Sequence, residues 1–87
     1  MEFEFDRAKS DLNKQKHGID FDKATALWED PDLLVAPARS TDEPRQPAIG
    51  MVGGRTWSAI VTYRDQRVRL ISVRRAREEE VKRYESA

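Results

Sequence analysis

Between residues 48 and 74 the chain reads as three extended segments, separated by turns too short to hold a helix. Residues 48–52 run extended into Gly53-Gly54, a pair suited to the positive φ angles of a two-residue hairpin. Residues 56–63 put Trp57, Ala59, Val61 and Tyr63 on one side and Ser58 and Thr62 on the other, with Ile60 out of step. Arg64-Asp65-Gln66 makes a turn before residues 67–74, rich in Val, Leu and Ile. Strands joined this closely are antiparallel neighbours, because a parallel return needs a crossover of about a dozen residues or more. Their apolar side has to be covered, and the flanking segments must supply the cover.

Residues 2–5 (EFEF) read as a short strand with Phe3 and Phe5 on one face. Asp6 is suited to cap a helix over residues 7–16, with Ala8 and Leu12 one turn apart on its inward side. Gly18 ends it, and Lys14, Lys16 and His17 occupy the last turn, where the helix dipole favours cations. Asp20 caps a second helix from Phe21 to about Glu29, in which Phe21, Ala24, Leu27 and Trp28 follow helical spacing; Ile19 can staple onto Ala24. Pro31 fixes the exit. Residues 33–36 form a short strand, and residues 37–47, with three of the four prolines, form a loop or irregular edge. Residues 77–85 close the chain as a helix supported by Glu78–Lys82 and Glu79–Arg83 pairs. Trp28 and Trp57 fit the apolar periodicity and are assigned to the core. The order β-α-α-β-β-β-β-α predicts an α+β domain: an antiparallel meander packed by helices.

At 87 residues this is one domain, 1–87, with a thin core and no room for a large enclosed cofactor. The absence of cysteine excludes disulfides, thiolate zinc sites and thiol catalysis, and a single histidine argues against a transition-metal centre. No apolar run reaches the ~20 residues that span a bilayer, and no signal layout opens the chain; a cytoplasmic protein without a membrane partner is expected. The net charge of zero hides an asymmetry. Residues 1–44 carry 6 basic and 11 acidic side chains, and residues 45–87 carry 10 basic and 5 acidic, nine of the ten being arginine. An arginine-rich half suits a polyanion or an acidic partner, although a solvated surface balanced by the acidic half has the same composition.

Several pieces together resemble the BrnT family of type II toxins. They are Phe5-Asp6, Lys16-His17-Gly18, Asp30-Pro31, Ile49-Gly50, Ile71-Ser72-Val73-Arg74-Arg75-Ala76, and Glu80 with Tyr84, in this order over nearly the whole chain. The resemblance implies a RelE-like fold, a twisted antiparallel sheet of about four strands with two N-terminal helices and one C-terminal helix. It implies metal-independent RNA cleavage that stops translation, no cofactor, and a BrnA-like antitoxin forming a hetero-oligomer that reaches DNA only through the antitoxin. In the family pattern a Thr often follows Arg-Arg-Ala; Arg77 stands there in this chain, so the capping box toward Glu80 is expected to be lost.

Cleavage by the ribose 2′-OH needs a base, cations for the charge on the phosphorane, and an acid for the leaving 5′-oxygen. With one histidine a two-histidine scheme is impossible, so Glu80, Tyr84, Lys16 or an arginine must complete it. His17 belongs to the residue type whose reference pKa, about 6.5, lies near neutrality; it is an acid or base, or simply a cation at a helix end. Arg74 and Arg75 point to opposite faces, one toward RNA phosphate and the other toward the body or the antitoxin. Glu80 can be a base or can orient one of them; Tyr84 can stack on a base, donate to phosphate, or cover the sheet. Arg67 and Arg69 share a face with Arg75 if the strand is regular. With Lys16, Arg45 and Arg64 they are the expected RNA contacts. Two rival readings keep the same residues without chemistry: a nucleic-acid- or partner-binding module, and a degenerate toxin serving only its antitoxin complex.

Overall fold

The computed structural model describes residues 1–37 and 44–86. Part of the Pro-rich loop expected over 37–47 therefore lies outside the described residues. The elements are β1 (Glu2–Glu4), α1 (Arg7–His17), α2 (Phe21–Ala24) continued by a 3₁₀ turn (Thr25–Glu29), β2 (Leu34–Val35), β3 (Gln46–Val52), β4 (Arg55–Arg64), β5 (Arg67–Arg75) and α3 (Glu78–Ser86). Asp6 caps α1 through the N–H groups of Ala8 and Lys9, Asp20 caps α2 through that of Lys23, and Gly18 ends α1 at φ 81°. The Gly53-Gly54 hairpin has both φ angles positive, at 61° and 78°.

The expectation of about four antiparallel strands is corrected. The sheet has five strands in the order β1-β5-β4-β3-β2, and β1 runs parallel to β5 through Glu2–Arg67, Phe3–Val68 and Glu4–Arg69. The meander from β2 to β5 is antiparallel as read. The parallel pair forms because the N-terminal strand returns to the last strand's free edge, a contact spanning most of the chain.

One face of the sheet is closed by α1 and α2. Ile19, Phe21, Ala24 and Leu27 bury against Ala48, Trp57, Ala59, Val61, Val68, Leu70 and Val73. Phe3 and Phe5 both serve this face, edge-on to Trp28 and Phe21 at centroid distances of 5.2 and 5.5 Å. The inward side of α1 is not the one expected. Ala8 and Leu12 are exposed; Ser10 and Asn13 are buried instead. The reason is polar docking. Ser10 Oγ accepts from the Phe21 N–H at 2.8 Å, and the Asn13 side-chain amide donates to Ile19 and Val73 carbonyls and accepts from the Val73 N–H. That amide pairs with the edge of β5 much as a peptide group of a neighbouring strand would, beyond the point where β1 stops.

The opposite face is covered only in part, by α3, which packs against β3. Here Ile49 and Ser58, paired across β3 and β4, are buried.

Candidate functional site

The register of β4 and β5 decides where the arginines point. Ile60 pairs with Ser72 and Val61 with Leu70, so Ile71 is an extra residue in β5, a bulge. It inverts the alternation along the strand. Arg67, Arg69 and Arg74 stand opposite Arg64, Thr62 and Ser58 on the face that carries α3, whereas Arg75 stands opposite Trp57 on the helix-packed face. The expectation that Arg67 and Arg69 share a face with Arg75 is thereby corrected: it holds only for a regular strand.

Arg75 lies over the Trp57 ring, 5.7 Å from its centroid, a cation–π contact on the body of the protein. Arg74 pairs bidentately with Glu80 at 2.7 and 3.1 Å. Glu80 also accepts from Ser58 Oγ at 3.1 Å and from the Arg77 N–H at 2.8 Å. The last contact is half of a capping box: the carboxylate three residues into the helix still reaches back to the cap N–H, although Arg77 offers no hydroxyl in return. The expected loss of that box is thus only partial. Burial pushes the Glu80 carboxyl up, but the hydrogen bonds from Arg74, Arg77 and Ser58 and the charge of Arg74 outweigh it and bring it down to about 2.

Tyr84, one turn further along α3, donates to Asp30 Oδ2 at 2.6 Å. Asp30 also accepts from the N–H groups of Met51 and Asp32, at 2.9 and 2.8 Å. Burial raises the Asp30 carboxyl, yet these donors leave it lowered overall. The hydrogen bond to Asp30, then burial, then the charges of Asp30 and Asp32 hold the Tyr84 phenol up at about 12. Gly50 makes room for this: a Cβ there would meet Leu33 Cδ1 at 3.0 Å, Leu27 Cδ2 at 3.1 Å and Asp30 Oδ2 at 3.2 Å. Helix α3 is thus fastened across one end of the sheet, by Glu80 over β4 and β5 and by Tyr84 at the outer edge of β3.

The other end of that face is open and basic. Lys9, Pro44, Arg45, Thr62, Arg64, Arg69 and Ile71 line a concavity of about 280 Å³. Arg67 turns away to Glu2 at 3.3 Å and borders a separate hollow with Glu2, Glu4, Arg64 and Asp65. His17 and Lys16 are exposed in the last turn of α1. Helix α1 follows β5, with Lys9 beside Arg69 and Ile71 and Asn13 beside Val73. At 1.5 Å per residue, Lys16 and His17 lie on toward the Arg74–Arg75 end, and residues 9, 13 and 16 share one stripe of the helix.

The structure therefore brings together Arg45, Arg64 and Arg69, and separately Arg74 and Glu80. It sets Arg75 on the other face, Arg67 beside Glu2, and Tyr84 on Asp30. Sequence reasoning missed Lys9, Thr62, Ser58 and Asp30 as members of these groups. The seven-residue spacing of Lys9 and Lys16 was the available signal for the first, and the polar side of β4 for Thr62 and Ser58. Among the described residues no three His, Cys, Asp or Glu side chains gather where they could hold a metal ion, and no helix is long and apolar enough to cross a membrane.

The model of the BrnT toxin family, described as the ribonuclease toxin of type II toxin–antitoxin systems, matches residues 5–80. The chain belongs to the BrnT family. A search of curated proteins finds no match. The family match runs from Phe5 to Glu80, so it spans the Arg74–Glu80 pair and strands β2 to β5, while β1 and Tyr84 lie outside it.

Proposed function

We propose that this BrnT-family protein is the toxin of a type II toxin–antitoxin pair, a cytoplasmic endoribonuclease that cleaves RNA by 2′-OH attack without a metal ion and so inhibits translation. The whole chain, 1–87, is read as one RelE-like toxin domain. The observation that carries the proposal is the partly uncovered sheet face, on which a basic concavity and the fixed guanidinium of Arg74 lie on the same side. Such a face holds a sugar–phosphate backbone at several points while leaving one arginine set for charge that develops on a phosphorane.

In this reading Arg45, Arg64 and Arg69 grip phosphates, with Arg67 and Lys16 at the margins. Arg74 stabilises the transition state. Glu80 acts through it: with hydrogen bonds from Arg74, Arg77 and Ser58 and a carboxyl held at about 2, it favours the orienting role over that of a base. Tyr84 holds α3 in place through Asp30. His17 supplies proton transfer from the end of α1, and Arg75 braces the strand end through Trp57 or meets the antitoxin. The partner is a BrnA-like antitoxin that covers the basic face, with DNA reached only through it.

Purified protein should degrade RNA in the presence of EDTA. Arg74→Ala and His17→Ala should each lower the rate by about 10²-fold or more. Glu80→Gln should lower it too, with a return when the guanidinium is otherwise held. Tight RNA binding with no scission by the unaltered protein would instead support the non-catalytic module.

A further inference from the structure

We infer that the concavity beside Thr62 is a nucleotide subsite in which the Thr62 hydroxyl and the charges of Lys9, Arg64 and Arg69 hold one phosphate of a single-stranded RNA, outside the Arg74–Glu80 pair. This rests on the ribonuclease reading for the identity of its ligand and adds to it Lys9 and Thr62.

Among the described residues, Thr62 Oγ1 is the buried side-chain polar atom left without a hydrogen-bond partner. Buried hydroxyls are nearly always satisfied, and an orphan calls for a partner that arrives from outside. Thr62 is itself one of the residues lining a space bordered by Lys9, Arg64 and Arg69. Among the described residues none of these three cations pairs with a carboxylate, in contrast to Arg7, Arg67, Arg74 and Lys82. Like charges gathered around one hollow repel each other, and the protein retains them together with an unsatisfied hydroxyl. An anion that accepts from the hydroxyl and faces the cations relieves both costs.

The rest of the lining separates phosphate on RNA from a bare anion. Ile71 and Pro44 add apolar surface, suited to the flat side of a sugar or base. The volume, about 280 Å³, lies at the small end of ligand sites, which suits one nucleotide unit and no duplex. The bulge at Ile71 is what links the site to the Arg74–Glu80 pair. Arg69 faces the same way as Thr62 through direct pairing, and the bulge brings Arg74 onto that face as well, so one strand of RNA can pass from the subsite to the fixed guanidinium.

The test is binding of a short single-stranded 2′-O-methyl oligoribonucleotide, which lacks the attacking hydroxyl, to the full chain. Thr62→Val should weaken binding about tenfold, the loss of one hydrogen bond to a charged acceptor, and Thr62→Ser should restore it. Lys9→Met and Arg69→Met should each reduce the slope of log affinity against log salt by about 0.7. Circular dichroism checks folding; if Thr62→Val unfolds, Lys9→Met on the exposed helix surface carries the test. Unchanged binding in Lys9→Met and Thr62→Val overturns the subsite, whatever the protein does to RNA. Thr62-dependent binding by a protein that leaves unmodified RNA intact upholds the subsite and removes the nuclease reading. Displacement of the oligonucleotide by polyglutamate at lower concentration than by unlabelled RNA assigns the hollow to an acidic protein segment and overturns the proposal.

Discussion

The carboxamide of Asn13 serves three backbone groups at once, the Ile19 carbonyl and both the N–H and carbonyl of Val73. Asn13→Ala would leave these groups in a buried site with nothing to replace the amide. The expected loss is about 3 kcal/mol, because each unmet buried group costs roughly 1–3 kcal/mol and water recovers part of it. In a chain of this size that lowers Tm by roughly 15 °C. Leu12→Ala, by contrast, should stay within about 0.5 kcal/mol, since Leu12 is 61% exposed. Thermal unfolding of the two variants checks the pair, and a larger loss for Leu12→Ala would reverse the face assigned to α1. Hydropathy pointed to Ala8 and Leu12 because it weighs only apolar spacing. A helix that docks by hydrogen bonds hides its inward side from that reading, whereas the caps at Asp6, Gly18 and Asp20 were legible because they follow from local backbone chemistry.

Helix α3 has no fully buried residue, so its position depends on the two polar fastenings more than on apolar cover. Their pH behaviour follows from the directions of the shifts. The Glu80 carboxyl lies at about 2, below its ordinary 4.5, so its contribution to docking is complete above 4.5 and fades as pH falls through 2. The Tyr84 phenol lies at about 12, above its ordinary 10.0, so its contribution is complete below 10 and is lost as pH rises through 12. Amide protection in residues 78–86 should therefore be flat between these limits and fall at each end before that of β4. Glu80→Gln should loosen the helix at neutral pH by about 2 kcal/mol, as expected for hydrogen bonds to a charged group. Protection in α3 that tracks β4 at every pH would show that the helix does not move separately. The strands and turns of the meander were readable from alternation and from Gly53-Gly54. The bulge at Ile71 was not, since one inserted residue changes the parity of every side chain beyond it while leaving the run of Val, Leu and Ile intact. The parallel pairing of β1 was hidden for a different reason: a three-residue strand carries no mark of which distant edge it joins.

Over the whole molecule, zero net charge coexists with a face that collects cations from three separate stretches of chain: Lys9 from α1, Arg45 before β3, and Arg64 and Arg69 from β4 and β5. The arginine-rich second half announced a basic surface, but the count by halves assigned Lys9 to the acidic part; only the packing of α1 along β5 moves it across. An antitoxin that silences the protein by covering the proposed RNA path should therefore protect amides in residues 62–72 and around Lys9, and leave those of α2 unchanged. Complex formation should weaken with salt, because cations on an open surface are screened beyond roughly 10 Å at 0.1 M. Arg64→Gln with Arg69→Gln should weaken the antitoxin complex and RNA binding together. Hydrogen exchange with and without the antitoxin reads the footprint, and titration at two salt concentrations reads the charge. Protection centred on α2, with affinity indifferent to salt, would place the partner on the closed face, and inhibition would then have to act through the sheet and not by occupying the groove.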